Sequence, residues 1–372
     1  MAKRTAYLHI GLDHVASPAI SAALAVYADE LADRGVRAPA RTTDETRRAA
    51  LELRRLHRSH GLRRRDVEGS WADLCRRARK RASRTDVVVI SEGLLAGADD
   101  DQIALLLDGL AGFEVHVVAV LVDPASQLVG AWTAAVRAGA TLSLARYARR
   151  VLDPTRTLAE SVDFWGEHDV DQVLARWSRG IGRADRVHVV VPDRDHPRAS
   201  AAWRSLGELA GFDATTLDVE DLARTCLDVT GAAVLRGVNR ALDGRIDPAA
   251  RRAVLGPHLA DREVEASGDQ LPTLPADLHD ELVELGEGWA KALAEGGYDV
   301  RGDTSALTPL APSTSSEEVS PERRLASVTD ALADLLVEVA RLRSSYDELA
   351  RRNAALAKKK RKLSERLAEV AG

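Results

Sequence analysis

Four short stretches of this chain are almost uninterruptedly apolar: Ala6-Tyr7-Leu8-His9-Ile10, Val87-Val88-Val89-Ile90, Val115-His116-Val117-Val118-Ala119-Val120-Leu121-Val122 and Val187-His188-Val189-Val190-Val191. A strand with one wet face alternates apolar and polar residues, whereas a strand covered on both faces does not. Separated by helical patterns, these runs predict an α/β domain of three layers on a central parallel sheet of about four to five strands, with a shorter strand near Val36. Helix-start signals follow the strands. Ser17-Pro18 reads as a capping serine with proline at the first helical position, and Asp123-Pro124 repeats the pattern. Asp169 reads as the cap of a helix from Val170 to Trp177. From Val219 onward strand signals stop and helices run to about Gly296. The first domain is therefore expected over 1–300, with a helical second half.

Composition narrows the class. The chain has 372 residues, 45% of them hydrophobic, enough for a substantial core. Its two cysteines, Cys75 and Cys226, are too few for a disulfide framework and lack metal-ligand spacing, so neither a metal site nor an oxidising compartment is expected. No apolar run reaches the length of a signal peptide or membrane span, which leads us to expect a cytoplasmic protein. Net charge is −5, from 57 acidic and 52 basic residues. Sixteen Arg or Lys nevertheless fall between Arg37 and Arg84. The plainer reading of this stretch is a pair of solvated helix faces, and the sharper one is a basic rim over an anionic ligand. Few aromatics accompany the charges, which argues against stacking on single-stranded nucleic acid.

Residues 301–320 read as a Pro/Ser/Thr-rich linker, and 321–372 carry a heptad repeat. One seven-residue series is Leu325, Leu332, Val339, Tyr346, Asn353, Lys360 and Leu367; the other is Val328, Leu335, Leu342, Leu349, Leu356, Leu363 and Val370. The second series is apolar throughout and mostly Leu, as the d positions of a coiled coil require. Asn353 at an a position favours a parallel pair in one register, and Glu338 and Arg343 at g and the following e can pair between chains. A C-terminal coiled coil and a homodimer are expected, with Leu335, Leu342, Leu349, Asn353, Leu356 and Leu363 in the seam. The alternative is a long amphipathic helix folded back on its own domain. The basic run Lys358 to Lys362 reads as solvated, with weak nucleic-acid or membrane attraction as the minority reading.

The segment Leu8 to Ser21, LHIGLDHVASPAIS, has the outline of a strand, a tight turn and a helix start. Such turns hold phosphate because backbone N–H groups converge at a helix N-terminus, aided by a lysine. Here the second glycine and the lysine of the Walker pattern are missing, Pro18 removes one donor, and Asp13 adds a negative charge. An unpaired like charge near a phosphate is unfavourable by about 1 to 4 kcal/mol at surface-like dielectric.

This segment resembles the opening of the sulfotransferase family, strand-Leu-His-Ile-Gly-x-Pro-Lys-Thr-Gly-Thr-Thr, and more specifically a sulfotransferase-like group from high-GC actinobacteria. Val89-Ile90-Ser91-Glu92 is similar to the family strand ending in Ser-Glu. The segment from Val122 to Trp132 resembles the family's Arg-Asp-x-x-x-Gln-x-x-Ser-Ala-Trp, and Arg186 to Pro192 and Ala232 to Asn239 also match. The likeness covers about residues 5 to 303. It implies a P-loop-type fold whose turn holds the 5′ phosphosulfate of PAPS (3′-phosphoadenosine 5′-phosphosulfate). By resemblance the cofactor-binding positions are Gly11, Asp13, His14, Ala16, Ser17, Asp123 and Gly130, with His14 at the position of the catalytic lysine and Glu92 as catalytic base; the plainer reading of Glu92 is a helix-capping or salt-bridged carboxylate. Asp13 stands where the family has proline, Ala16 where it has glycine, Val122 where an arginine holds the 3′ phosphate, and Gly130 where the family has serine. Among the main charged or hydroxyl donors only Ser17 survives. A histidine, with an ordinary pKa of about 6.5, does not replace both Lys and Arg.

Three functions remain open at this point. One is a degenerate, non-catalytic sulfotransferase-like protein that dimerises through its tail to bind a protein partner or an altered ligand, with no cofactor. The second is an active PAPS-dependent sulfotransferase acting on a hydroxyl of a small molecule or glycan, its donor site rebuilt from His14 and the basic stretch. The third is an interaction or nucleic-acid-binding module using the basic helices, with nucleic acid the less expected partner. Satisfied core histidines are the expected reading of His9, His116 and His188. Core packing is expected for Trp132, Trp177 and Trp203.

Overall fold

The uninterrupted apolar runs become buried parallel strands. The computed structural model describes residues 4–80, 87–194, 196–223, 226–255, 271–311 and 319–371. Arg81 and Arg84 of the basic stretch, residues 312–318 of the expected linker, and the side chains of Leu367 and Val370 lie outside the described residues. β1 (Arg4–Leu12) leads into α1 (Ala16–Val26) and the short α2 (Ala28–Asp33), and β2 (Val36–Arg37) into α3 (Thr43–Leu53) and α4 (Ser70–Arg79). β3 (Val87–Ser91) precedes α5 (Asp100–Gly109). β4 (Phe113–Val120) is followed by α6 (Pro124–Ala138), α7 (Leu144–Val151), α8 (Ala159–His168) and α9 (Val170–Ile181). β5 (Val187–Val190) leads to α10 (Arg198–Ala210), α11 (Val229–Leu242), α12 (Pro248–Leu255) and α13 (His279–Glu295). β6 (Asp299–Arg301) closes the sheet, and α14 (Pro321–Ala371) ends the described chain.

The six strands lie in the order β2-β3-β1-β4-β5-β6, all parallel. Two expectations are corrected here. Among the described residues the sheet has six strands, and one of them, β6, lies beyond Val219. At three residues, with Asp299 and Arg301 flanking Val300, β6 carries no apolar run. Pairing with the edge of β5 makes it a strand.

Helices cover both faces of the sheet. On one face Leu8, Ile10, Val88, Val117 and Val189 meet α3, α4, α5, α9 and α13 through Leu53, Leu74, Ile103, Trp177 and Trp289. On the other, Tyr7, Val89, Val118 and Val190 meet α1 and α10 through Ile20 and Trp203. A third cluster, built mainly on α6, α7, α8 and α11 around Trp132, takes in no strand residue. Each tryptophan singled out in the sequence thus sits buried in a different cluster. The first cluster continues to Leu307, a few residues into the segment read as linker.

The heptad segment is one continuous helix, and its start follows the reading of a helix folded back on its own domain. Near its start α14 lies against α11, burying Ala331 and half-burying Leu335. Farther on, Leu342, Leu349, Leu356 and Leu363 are 57–61% exposed in the single chain.

Candidate functional site

The order of the sheet decides where a site forms. From β1 the chain moves toward β2, and from β4 it moves toward β5, so the connections leave in opposite directions between these neighbours. Ligands of open α/β sheets bind outside the carboxyl ends of the strands at such a switch point. Here that place is the turn from Gly11 to Ser17, beside the start of α6.

The turn is tight and held from several sides. Gly11 has φ +92°, and a Cβ on it would lie 2.6 Å from Gly93 Cα, so glycine is required for the approach of the two loops. Leu12 is left-handed too, at φ +85°, which costs a non-glycine residue about 1–2 kcal/mol. Its side chain is buried, its carbonyl accepts from Gln127 Nε2, and the next amide, Asp13 N, donates to Val120 O at 3.1 Å. Burial and two hydrogen bonds outweigh the strain.

Asp13 is 3% exposed, and its carboxylate accepts a hydrogen bond of 2.6 Å from Ala16 N, the first backbone amide of α1. This corrects the reading of Ser17-Pro18 as the helix start. The helix begins at Ala16, and Asp13 supplies the side-chain cap. Pro18 is tolerated because first-turn N–H groups need no intrahelical partner. Arg198 Nη1, at the start of α10, lies 3.7 Å from Asp13 Oδ1, and Arg198 Nη2 donates to Ser126 Oγ at 2.9 Å. A helix N-terminus attracts an anion, and here the chain furnishes its own.

The neighbouring side chains form a closed circuit of hydrogen bonds. Gln127 Nε2 donates to Leu12 O, which fixes its amide, and also reaches His168 Nδ1 at 2.8 Å. His168 therefore accepts at Nδ1 and carries its proton on Nε2, which donates to His14 Nε2 at 3.2 Å. His14 in turn keeps its proton on Nδ1. Burial pushes both imidazoles below the usual histidine range. At His14 the Asp13 charge opposes this and Arg137 adds to it; at His168 the neighbouring His14 adds to it. Both are neutral at physiological pH, so His14 brings no cation to the position that a phosphate-binding lysine would hold. His14 also packs on Gly130, where a Cβ would lie 3.0 Å from His14 Cβ.

The remaining candidates divide. Ser17 Oγ lies 3.5 Å from His9 Nε2, and His9 Nδ1 meets Ser91 Oγ at 2.7 Å. Ser91 Oγ meets Ser21 Oγ at 2.7 Å. His9 is fully buried, and burial lowers its pKa to about 3. It is a satisfied core histidine, as expected, and too weakly basic to activate a hydroxyl. Glu92 caps the short turn Gly93–Gly97, accepting from Leu94 N at 3.2 Å, and its own amide donates to His9 O at 3.0 Å. Asp123 caps α6 by accepting from Ser126 N at 3.0 Å. Val122, at the position matched to the family arginine, is buried and apolar. The turn, Glu92, Asp123 and Gly130 do converge at the strand ends. Part of the basic stretch pairs with its own acids, as in Arg48–Asp44, Arg76–Asp73 and Arg77–Glu45, while Arg54 turns inward to Leu94 O and Glu167.

Sequence reading missed Arg198, His168 and Cys226. Cys226 is half-buried, its thiol pushed up by burial first and by the Asp13 charge second, which makes it a poor nucleophile. Gln127 stood inside a quoted motif, but nothing local marked the other three. Among the described residues no group of His, Cys, Asp and Glu is arranged to hold a metal ion, and no helix is long and apolar enough to cross a membrane. Comparison with models of protein families, with curated proteins and with solved structures found no match.

Proposed function

We propose that this chain is a non-catalytic protein of the sulfotransferase-like, P-loop type, which dimerises through a parallel C-terminal coiled coil and works by holding a partner or an altered ligand. One observation carries the first half: the Asp13 carboxylate occupies the amide at the start of α1, with Arg198 as its counter-charge. A phosphosulfate entering this turn would have to displace a buried carboxylate or lie beside it, at the cost of like-charge repulsion. Neutral His14 and apolar Val122 supply nothing to offset that. The dimer rests on the exposed stripe from Leu342 to Leu363, a face that the single chain leaves to water over about six helical turns. Heptad spacing and the Asn353 seam position favour a second copy of the same helix as its cover.

Titration calorimetry with 3′-phosphoadenosine 5′-phosphate, the desulfated donor, tests the first half. No heat at pH 6 or pH 8 is the expected outcome. Micromolar binding that weakens at the higher pH would overturn it in favour of a PAPS-dependent sulfotransferase using protonated His14.

A further inference from the structure

At the amino end of the sheet, on the face covered by α10, two histidines lie between two carboxylates. Glu114 Oε1 is 3.3 Å from His116 Nε2, His116 Nδ1 is 2.8 Å from His188 Nε2, and His188 Nδ1 is 2.6 Å from Asp299 Oδ2. The imidazoles are coplanar within 5°, with centroids 5.1 Å apart, so they meet edge to edge through their nitrogens. The chain joins β4, β5 and β6, and among the described residues β6 has β5 as its only neighbour in the sheet.

Counting protons shows what this arrangement can do. It has three links, and each needs one hydrogen. Ionised carboxylates bring none and two neutral imidazoles bring two, so one link is always left with lone pairs opposed. The shortest link, to Asp299, is charge-assisted and takes the Nδ1 proton of His188. His188 Nε2 then accepts from His116 Nδ1. The link left empty is Glu114 to His116, which is also the longest. A third proton at His116 Nε2 completes it and makes His116 a cation facing Glu114. A fourth has no place, because it would set two N–H groups against each other between the rings.

Each carboxylate of this hydrogen-bonded chain also has an arginine beside it, and those arginines limit the positive charge that can be added. Arg186 Nη2 is 3.1 Å from Glu114, with Asp185 beside it in sequence. Arg301 Nε is 3.0 Å from Asp299, and Arg301 Nη1 is 3.3 Å from Glu208 on α10. The Tyr7 ring, from β1, lies 5.1 Å from His116 and 6.0 Å from His188.

We propose that Glu114, His116, His188 and Asp299 form a proton-operated clasp on the edge strand. It holds β4, β5 and β6 together with two protons at neutral pH, accepts a third between Glu114 and His116 on acidification, and opens at the His116–His188 link when a fourth arrives. This device is separate from the turn at Asp13 and goes beyond the function proposed above.

The test is an acid titration of the full-length protein with 15N-labelled histidine, following the imidazole nitrogens and the amide exchange of β6. His116 should become doubly protonated first while His188 keeps its Nδ1–H form, and β6 amides should stay protected until a second uptake. Glu114→Gln, whose amide can donate to His116 Nε2, should complete the third link without a proton and abolish the first uptake. Charging of His188 first, or of both rings in one step, would overturn the proposal, and so would a Glu114→Gln titration identical to wild type. The wild-type titration decides the order of charging even if the variant fails to fold.

Discussion

Asp13 Oδ2 lies 2.6 Å from the backbone nitrogen of Ala16, so the first amide of α1 donates to a carboxylate of its own chain. In the sequence Asp13 looks like damage to an anion site. In the fold it is the anion. The two views predict opposite consequences for its removal, because a damaging charge can be deleted without loss, whereas a cap cannot.

Deleting the partner of that cap should be costly. Arg198→Ala leaves Asp13 buried without its counter-charge. Since the Arg198 side chain is about a third exposed, the full cost of breaking a buried pair does not apply, and we expect a loss of about 1–2 kcal/mol. In a double-mutant cycle with Asp13→Ala, measured by urea denaturation, the two losses should not add. Strict additivity would mean that the two side chains do not interact.

Leu12 offers a test of backbone strain. Leu12→Ala removes a buried side chain and should cost about 2–5 kcal/mol. Leu12→Gly removes one carbon more yet relieves the left-handed strain, a difference worth about 1 kcal/mol in its favour. Glycine should therefore be the less damaging of the two, the reverse of the usual order, as read from their thermal unfolding midpoints.

Stability should fall on the acid side. Burial lowers the pKa of His9, His14, His116, His168 and His188 in the folded chain. A histidine with a lowered folded pKa binds more protons when unfolded. Its contribution is present in full above the ordinary histidine value and is lost as pH falls toward the folded one. For His9, which falls to about 3, the whole window is worth about 4–5 kcal/mol at 1.36 kcal/mol per unit. Unfolding free energies measured from pH 7 down to pH 4 should decline steadily. His9→Gln, whose amide can still reach Ser91, should flatten the decline, and an unchanged slope would contradict the assignment.

The strands were legible wherever both faces are covered, since β1, β3, β4 and β5 then consist of apolar runs. β6 was not, because Asp299 and Arg301 are polar residues held at an edge by His188 and Glu208, contacts that no local pattern encodes. At the turn the elements could be read but their roles could not. Ser17-Pro18 is the stronger local cap signal, yet Asp13 lies within reach of the amide. His168 and Arg198 stand 154 and 185 residues from the turn residues they meet, and only the crossing of the chain from β3 past β1 to β4 brings them there.

The free part of α14 should dimerise. Leu349→Asp, at a position 57% exposed in the single chain, should yield a monomer by light scattering with the α/β domain intact by circular dichroism. A wild-type monomer would remove the coiled coil from the account. Lys360 falls at a seam position, so fraying beyond Leu356 is expected.

The most direct test of the central claim is calorimetry of the full-length wild type and Asp13→Ala with 3′-phosphoadenosine 5′-phosphate, side by side at pH 7. With Asp13 filling the turn, the wild type should give no binding heat, and the variant, whose Ala16 amide is released, should give a measurable one. Micromolar binding by the wild type that is lost in Asp13→Ala would contradict the account and make Asp13 part of a working donor site.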